Sequence, residues 1–141
     1  MNDKRLESGY WALRIAFGVV PIVAGLDKFT NLLVDWTGYL SPIAKQLLPV
    51  SPATFMHLAG IIEVVVGIAV LTRFTRQAAW VACAWLVCIA LNLLSSGHFL
   101  DIAVRDLVMA VGAFALARLA EVRDEAIARE TATAAMRPAR A

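Results

Sequence analysis

Six polar side chains within largely apolar sequence are of types that can carry chemistry inside a membrane protein. They are two acids, two cations, a histidine and an amide: Glu63, Asp106, Lys28, Arg105, His98 and Asn92. Carboxylates in such surroundings can transfer protons, and a lysine or arginine can hold an anion. We therefore predict a polar pocket in which these side chains transfer protons or hold an anion. The alternative is that Glu63, paired with Lys28 or Arg105, clamps two helices together.

Other kinds of reactive site find no support in the sequence. Cys83 and Cys88 are five residues apart, which is neither the C-x-x-C spacing of a dithiol oxidoreductase nor a metal-ligand spacing. We expect both cysteines to be packing residues. His57 and His98 alone do not define a haem or metal site. No phosphate-binding loop, dinucleotide fingerprint or nucleophile elbow occurs, so we predict no metal and no cofactor motif, and enzymatic activity stays open.

The elements that position these residues are membrane-spanning helices. The chain is 60% hydrophobic and 17% charged, whereas soluble domains have about 25% charged residues. A helix needs about 20 apolar residues to cross a bilayer, and four segments qualify, at about 10–29, 52–72, 78–96 and 102–120. The sequence therefore predicts an all-α integral membrane four-helix bundle over residues 1–121, with the lipid bilayer as its partner. A net charge of +2 without a basic stripe does not indicate nucleic-acid binding.

The distribution of basic residues predicts the orientation of the bundle. Nine lysines and arginines lie on one side: Lys4, Arg5, Arg73, Arg76, Arg118, Arg123, Arg129, Arg137 and Arg140. The opposite loops contain only Lys28 and Lys45. Because basic loops stay in the cytoplasm, we predict a plasma (inner) membrane protein with both termini cytoplasmic. Residues 122–141 would form a cytoplasmic tail that begins as a helical extension and ends in a disordered Ala/Thr/Arg/Pro segment.

Small residues recur at helical spacing and predict the inward faces, since close backbone approach drives helix packing in lipid. The four stripes are Arg14, Gly18, Pro21, Gly25 and Lys28; Gly60, Glu63 and Gly67; Cys88, Asn92 and Ser95; and Asp106, Ala110, Ala113 and Ala117. With these faces inward, the pocket candidates all lie in the outer half of the bundle, and Arg14 lies near the inner surface.

The first outer connection, about 30–51, is long and apolar. Its apolar residues recur at helical spacing: Phe29, Leu32, Leu33, Trp36 and Leu40. This pattern predicts a short interfacial helix, either a plug that seals the bundle or a lid over a site. Pro42, Pro49 and Pro52 are expected to break regular structure before the second span.

Three sequence motifs resemble those of one family of small membrane proteins. They are LRIAFGVVPIVAGLDKF in the first span, GIIEVVVGIAVLTRFTRQAA in the second, and SSGHFLDIAVRDLVMAVGA around the last outer loop. Over residues 13–120 the chain resembles the DoxX family. The family takes its name from a subunit of a thiosulfate:quinone oxidoreductase, and relatives are associated with thiol or quinone chemistry. The resemblance implies the membrane subunit of a redox assembly with a soluble redox partner, in which the polar pocket takes a quinone head group or a small oxyanion. A non-enzymatic carrier or scaffold is the alternative.

Overall fold

The computed structural model describes residues 3–136, and regular structure within them is entirely helical. Five α-helices and one 3-10 turn follow in order: α1 (Lys4–Thr30), the turn (Trp36–Tyr39), α2 (Pro42–Leu47), α3 (Pro52–Leu71), α4 (Thr75–Ser96) and α5 (Leu100–Ala135). The prediction of an all-α membrane bundle is thus confirmed. Residues 1–2 and 137–141 lie outside the description.

Three of these helices, α1, α3 and α4, are long and apolar enough to cross a membrane. They contain the predicted spans 10–29 and 78–96 and all of 52–72 except Thr72. The fourth predicted span, 102–120, is continuous helix within α5, but Arg105, Asp106 and Arg118 interrupt its apolar stretch. Many large apolar side chains on these helices are exposed, as expected of a multi-pass protein surrounded by lipid.

The four long helices form two antiparallel pairs, since α1 packs along α3 and α4 along α5, with fewer contacts between the pairs. Glycines allow the first pair to approach closely. A Cβ atom added to Gly25 would lie 2.5 Å from the carbonyl oxygen of Gly60, and one added to Gly67 would lie 2.5 Å from that of Gly18. The predicted glycine faces of α1 and α3 are therefore confirmed.

The predicted face of α5 is buried, whereas on α4 two of the three predicted residues, Cys88 and Asn92, line the space between the helix pairs instead of packing against α5. On α5, Ala110, Ala113 and Ala117 are buried as predicted. On α4 the predicted stripe is largely accessible, because Cys88 and Ser95 are exposed. The buried residues of that helix are mainly alanines on a different face, at positions 78, 79, 82 and 90. Alanine packs against α5 as closely as a polar small residue does, so the polar stripe was a poor guide to the contact.

Packing is unequal at the two ends of the bundle. At the end that carries the start of α1 and the α3–α4 turn, which we call the terminal end, a continuous apolar core includes Tyr10, Val70, Ala79 and Leu116. Arg14 also acts there, since its guanidinium donates to backbone carbonyls at the end of α3. The opposite end carries residues 31–51 and the α4–α5 turn; we call it the connection end.

The connection contains a helix, but later in the chain than the apolar spacing predicted. Residues 32–35 are not helical, because α1 ends at Asn31 in a left-handed conformation (φ 50°). Pro42 begins α2 instead of breaking regular structure. Proline is tolerated there because the backbone N–H at the first helical position has no partner within the helix. Ser41 caps α2 and Ser51 caps α3 through their hydroxyl groups.

The tail begins as the predicted helical extension. Helix α5 continues to Ala135, and Glu125 pairs with Arg129 one turn later at 3.4 Å. The helix therefore includes the Ala/Thr part of the segment expected to be disordered, and the remainder, 137–141, lies outside the described residues.

Candidate functional site

A cavity of about 790 Å³ lies between the two helix pairs toward the connection end. All four long helices and the connection contribute to its walls. Five of the six predicted pocket residues line it: Lys28, Glu63, Asn92, Arg105 and Asp106. His98 does not; it is exposed in the α4–α5 turn, where its backbone bonds to Ser96.

The cavity is elongated, and its polar side chains lie between apolar or aromatic residues toward both ends. Its lining extends from Phe55 to Val66 on α3 and from Ala82 to Leu93 on α4, about 16 Å along each helix at 1.5 Å per residue. The end toward the middle of the bundle is lined by apolar side chains: Phe17, Val20, Pro21, Val66, Leu86 and Met109. The walls therefore suit an elongated ligand with a polar head and an apolar tail.

A buried ion pair marks the polar part of the cavity. The Lys28 Nζ lies 2.6 Å from Glu63 Oε2, and both residues are buried. The pair forms because side chains tilt toward the N-terminus of their helix, so Lys28 on α1 and Glu63 on antiparallel α3 reach toward each other. The close approach at Gly25 and Gly60 brings the two helices within range.

Two tryptophans complete the surroundings of this pair. Trp85 on α4 donates its indole N–H to Glu63 Oε1 at 3.2 Å. The ring of Trp36 covers the Lys28 ammonium, with Nζ 3.6 Å from the ring centroid. Both carboxylate oxygens of Glu63 therefore accept a hydrogen bond, and Lys28 has an anionic and an aromatic partner.

The polar residues of α5 are less constrained. Asp106 is half-buried and Arg105 is exposed. Within residues 3–136, neither side chain makes an ion pair or a hydrogen bond. Asp106 is thus the cavity carboxyl that remains available to a ligand or a proton.

Asn92 has a different role from the one expected of a pocket residue. Its side-chain amide donates to the carbonyl of Tyr39 at 2.7 Å, and its oxygen accepts from the Ser41 N–H at 3.0 Å. These two bonds tie the connection to α4. Asn92 consequently shapes the cavity by holding one of its walls.

Sequence reasoning missed three residues that define the site: Asp27, Trp36 and Trp85. Trp85 lies seven residues before Asn92 and so shares its helix face, which is a signal that spacing could have provided. Asp27 is a buried acid beside Lys28. Most of its partners lie in the connection after α1, whose conformation helical periodicity does not describe.

The cavity offers a thiol but no metal-binding cluster. Cys88 lines the cavity and is exposed, contrary to the expectation of a packing residue, whereas Cys83 is half-buried and packs on the apolar core. In the part of the chain that the structure describes, no three histidine, cysteine, aspartate or glutamate side chains come together to hold a metal ion.

Comparison with known proteins gives one match. The family model described as DoxX matches residues 9–95, which is more than half of the chain. The matched region contains α3 and most of α1 and α4. It includes Lys28, Glu63, Trp85 and Asn92, whereas Arg105 and Asp106 follow it. No curated protein and no solved structure matches the chain significantly.

Proposed function

The chain belongs to the DoxX family, and we propose that it is the membrane subunit of a redox assembly whose cavity binds a quinone. The observation that supports this most is an elongated cavity of about 790 Å³ whose walls are largely apolar and carry a few polar groups. Small-molecule sites are typically about 300–1,000 Å³ and mostly apolar, with a few polar groups that orient the ligand. A quinone has a flat head with two carbonyl acceptors and an apolar tail, which suits walls of this kind.

The residues that would hold a quinone head group are hydrogen-bond donors. Lys28 has three N–H donors, of which Glu63 accepts one. Arg105 has five, and its side chain has no hydrogen-bond partner within residues 3–136. Trp85 adds an aromatic wall beside them. These groups suit an uncharged acceptor such as a quinone carbonyl.

A small oxyanion fits the same cavity less well. Each cation has an acid nearby, because Lys28 is paired with Glu63 and Arg105 precedes Asp106. The four side chains carry no net formal charge, and the surrounding wall is largely apolar. An anion entering this cavity would lose its hydration without a surplus positive charge to replace it.

The bound quinone would supply two-electron, two-proton redox chemistry, with electrons provided by a soluble redox partner. Within this chain, Asp106 is the residue suited to hold or release a proton, since its carboxyl reaches the cavity and makes no ion pair with another described residue. Glu63 is less suited, because its oxygens are engaged by Lys28 and Trp85. This assigns general acid–base work to α5 and ligand orientation to α1 and α3.

A carrier or scaffold function is supported by one specific observation. Lys28 and Glu63 are buried and close, and both carboxylate oxygens of Glu63 accept a hydrogen bond, as expected of a clamp between α1 and α3. The two proposals differ in what the cavity contains. A scaffold requires no ligand there, whereas a quinone-binding subunit does.

Quinone retention tests the proposal. The protein is purified from its native membranes in mild detergent, washed, and extracted with organic solvent, and the quinone content is measured by mass spectrometry. We expect quinone in stoichiometric amount with the chain. An unrelated membrane protein purified in the same way is the control, and an equal quinone content in both preparations would count against binding in the cavity.

A further inference from the structure

The segment between α1 and α2, residues 31–41, lies across the connection end of the cavity; we call it the roof. Its lining residues are mostly apolar or aromatic: Leu33, Val34, Trp36, Tyr39 and Leu40. The roof contains little regular structure, so its position depends on side-chain bonds to the helices around it. Those bonds come from α1, from α4 and from the α4–α5 turn.

Asp27 in the last turn of α1 holds the first part of the roof. Its carboxylate accepts from the backbone N–H of Leu32 at 2.9 Å, from that of Leu33 at 3.1 Å and from the indole N–H of Trp36 at 2.8 Å. The Thr30 hydroxyl donates to the same carboxylate at 3.1 Å. Little of the residue is accessible, and hydrogen bonds to a charged carboxylate are stronger than neutral ones.

Two further contacts hold the second part of the roof. The Asn92 amide binds the backbone of Tyr39 and Ser41. The Tyr39 and Phe99 rings pack in a T-shaped arrangement with their centroids 4.8 Å apart. Phe99 adopts a left-handed conformation (φ 58°), which is costly for a bulky residue and is maintained only where surrounding contacts require it.

Trp36 connects the roof to the ion pair beneath it. Because Asp27 holds its indole N–H, the ring lies over the Lys28 ammonium, which it attracts through a cation–π interaction. The ring thereby covers the one cavity cation that is buried. Access to the Lys28–Glu63 pair from the connection end requires this ring to move.

The sides of the cavity are the gaps between the two helix pairs. Contacts between the two helix pairs are few, and several lining residues at that level are exposed, including Val20, Ile62 and Cys88. These residues belong to the lengths of α1, α3 and α4 that cross the membrane, where the surrounding medium is lipid.

We infer that the roof is a lid latched by Asp27, and that the ligand reaches the cavity sideways from the lipid between the two helix pairs. The ligand class is therefore a molecule dissolved in the membrane. Asp27 is a positioning residue, which acts through Trp36. The inference rests on the proposed function only for the identity of the ligand, since the route follows from the roof itself.

Thiol labelling measures both routes separately. Cys88 reports on the cavity, and Cys83→Ala removes the other thiol. The protein is placed in lipid vesicles and treated on both sides with either a sulfonated, water-soluble maleimide or an uncharged aryl maleimide. Asp27→Asn is compared with Asp35→Asn, an identical change in the roof. Asp35 bonds only to Thr37 and does not link the roof to a helix.

With the latch intact, the aryl maleimide should label Cys88 faster than the sulfonated one. An asparagine at position 27 presents an N–H₂ donor toward at least one roof donor, so the roof is released. Loss of a hydrogen bond to a charged group shifts such an equilibrium by roughly tenfold or more. Labelling by the sulfonated reagent should rise by about that factor in Asp27→Asn and stay unchanged in Asp35→Asn, with the aryl rate unchanged in both.

Two results would overturn the inference. One is equal labelling of Cys88 by the two reagents in the protein with Asp27 intact. The other is an equal rate of sulfonated-maleimide labelling in Asp27→Asn and Asp35→Asn. If Asp27→Asn does not fold, Trp36→Ala decides, since it removes the ring over Lys28 and leaves the Asp27 carboxylate in place. No quinone is used, so the result is independent of the retention experiment. If labelling shows a latched roof but the purified protein retains no quinone, lateral entry stands and the ligand is a different membrane-dissolved molecule.

Discussion

Lys28 and Glu63 owe their mutual contact to burial as much as to opposite charge. Each would be costly alone in an apolar bundle, and the pair is tolerated because the 2.6 Å contact, Trp36 and Trp85 together satisfy it. The cost of such residues in lipid is also what made them predictable from sequence. The cost of burial identifies which residues are unusual but not which of them pair. Arg105 was therefore as good a candidate as Lys28 for the partner of Glu63.

Glu63→Gln should destabilise the protein, because it leaves the buried Lys28 ammonium without its anion. Breaking a buried pair typically costs about 3–5 kcal/mol. The double variant Glu63→Gln with Lys28→Met should recover most of that loss, as measured by thermal unfolding in detergent. Recovery of stability in Glu63→Gln with Arg105→Met instead would contradict the pairing described here.

The same double variant separates the two functional proposals. If the ion pair orients a quinone head, the stable double variant should retain less quinone than the unmodified protein. If the pair is only a clamp, a folded double variant should contain as much quinone as the unmodified protein. Quinone extraction from the two preparations, each shown to be monodisperse, distinguishes these results.

At the scale of elements, the helices follow from hydropathy while the connection does not. Lipid requires every backbone group in a span to be bonded within the helix, so apolar length alone locates α1, α3 and α4. The side chains of Asp27 and Asn92 accept hydrogen bonds from backbone N–H groups of residues 31–41. In a helix those N–H groups would bond to backbone carbonyls. Apolar spacing carries no information about those bonds, which is why the helix was expected too early in the chain.

The glycine contacts between α1 and α3 should not tolerate even one added methyl group. Gly67→Ala would place Cβ 2.5 Å from the carbonyl oxygen of Gly18, and overpacking of this kind costs about 1–3 kcal/mol. Gly9→Ala is the matched control, because nothing lies within 4 Å of its added Cβ, and alanine favours the helix by up to about 1 kcal/mol. We expect the unfolding temperature to fall in Gly67→Ala and not in Gly9→Ala.

Larger changes extend this test to the lipid-facing surface. Gly60→Leu and Gly67→Leu should lower the yield of folded protein, because α1 and α3 can no longer approach. Val65→Leu should be tolerated, since Val65 is 59% exposed. Equal tolerance at all three positions would contradict the packing of this pair.

For the whole molecule, the division between a dense terminal end and a hollow connection end is the feature most relevant to function. The core around Tyr10, Val70 and Leu116 holds the four helices together at one end, which leaves room for a cavity at the other. Composition and hydropathy predicted the bundle. They did not predict the cavity, because its volume depends on how two helix pairs meet.

The orientation of the bundle remains a prediction from the nine basic residues expected on one side of the membrane against two on the other. Reporter fusions at both chain ends should be active in the cytoplasm. A fusion within 97–101, in and next to the α4–α5 turn, should report the outside. A cytoplasmic signal from that position would reverse the orientation and would place the roof on the cytoplasmic side.

The central claim, that the cavity binds a membrane-dissolved quinone, is tested most directly by filling the cavity. Ala24 on α1 lines it, whereas Ala16 on the same helix is exposed and does not, so Ala24→Phe and Ala16→Phe are a matched pair. Binding of decylubiquinone is measured by quenching of tryptophan fluorescence, which Trp36 and Trp85 report from the cavity wall. We predict that Ala16→Phe binds like the unmodified protein and that Ala24→Phe binds at least about tenfold more weakly, a loss of roughly 1.4 kcal/mol. Equal affinity in the two variants would contradict the account.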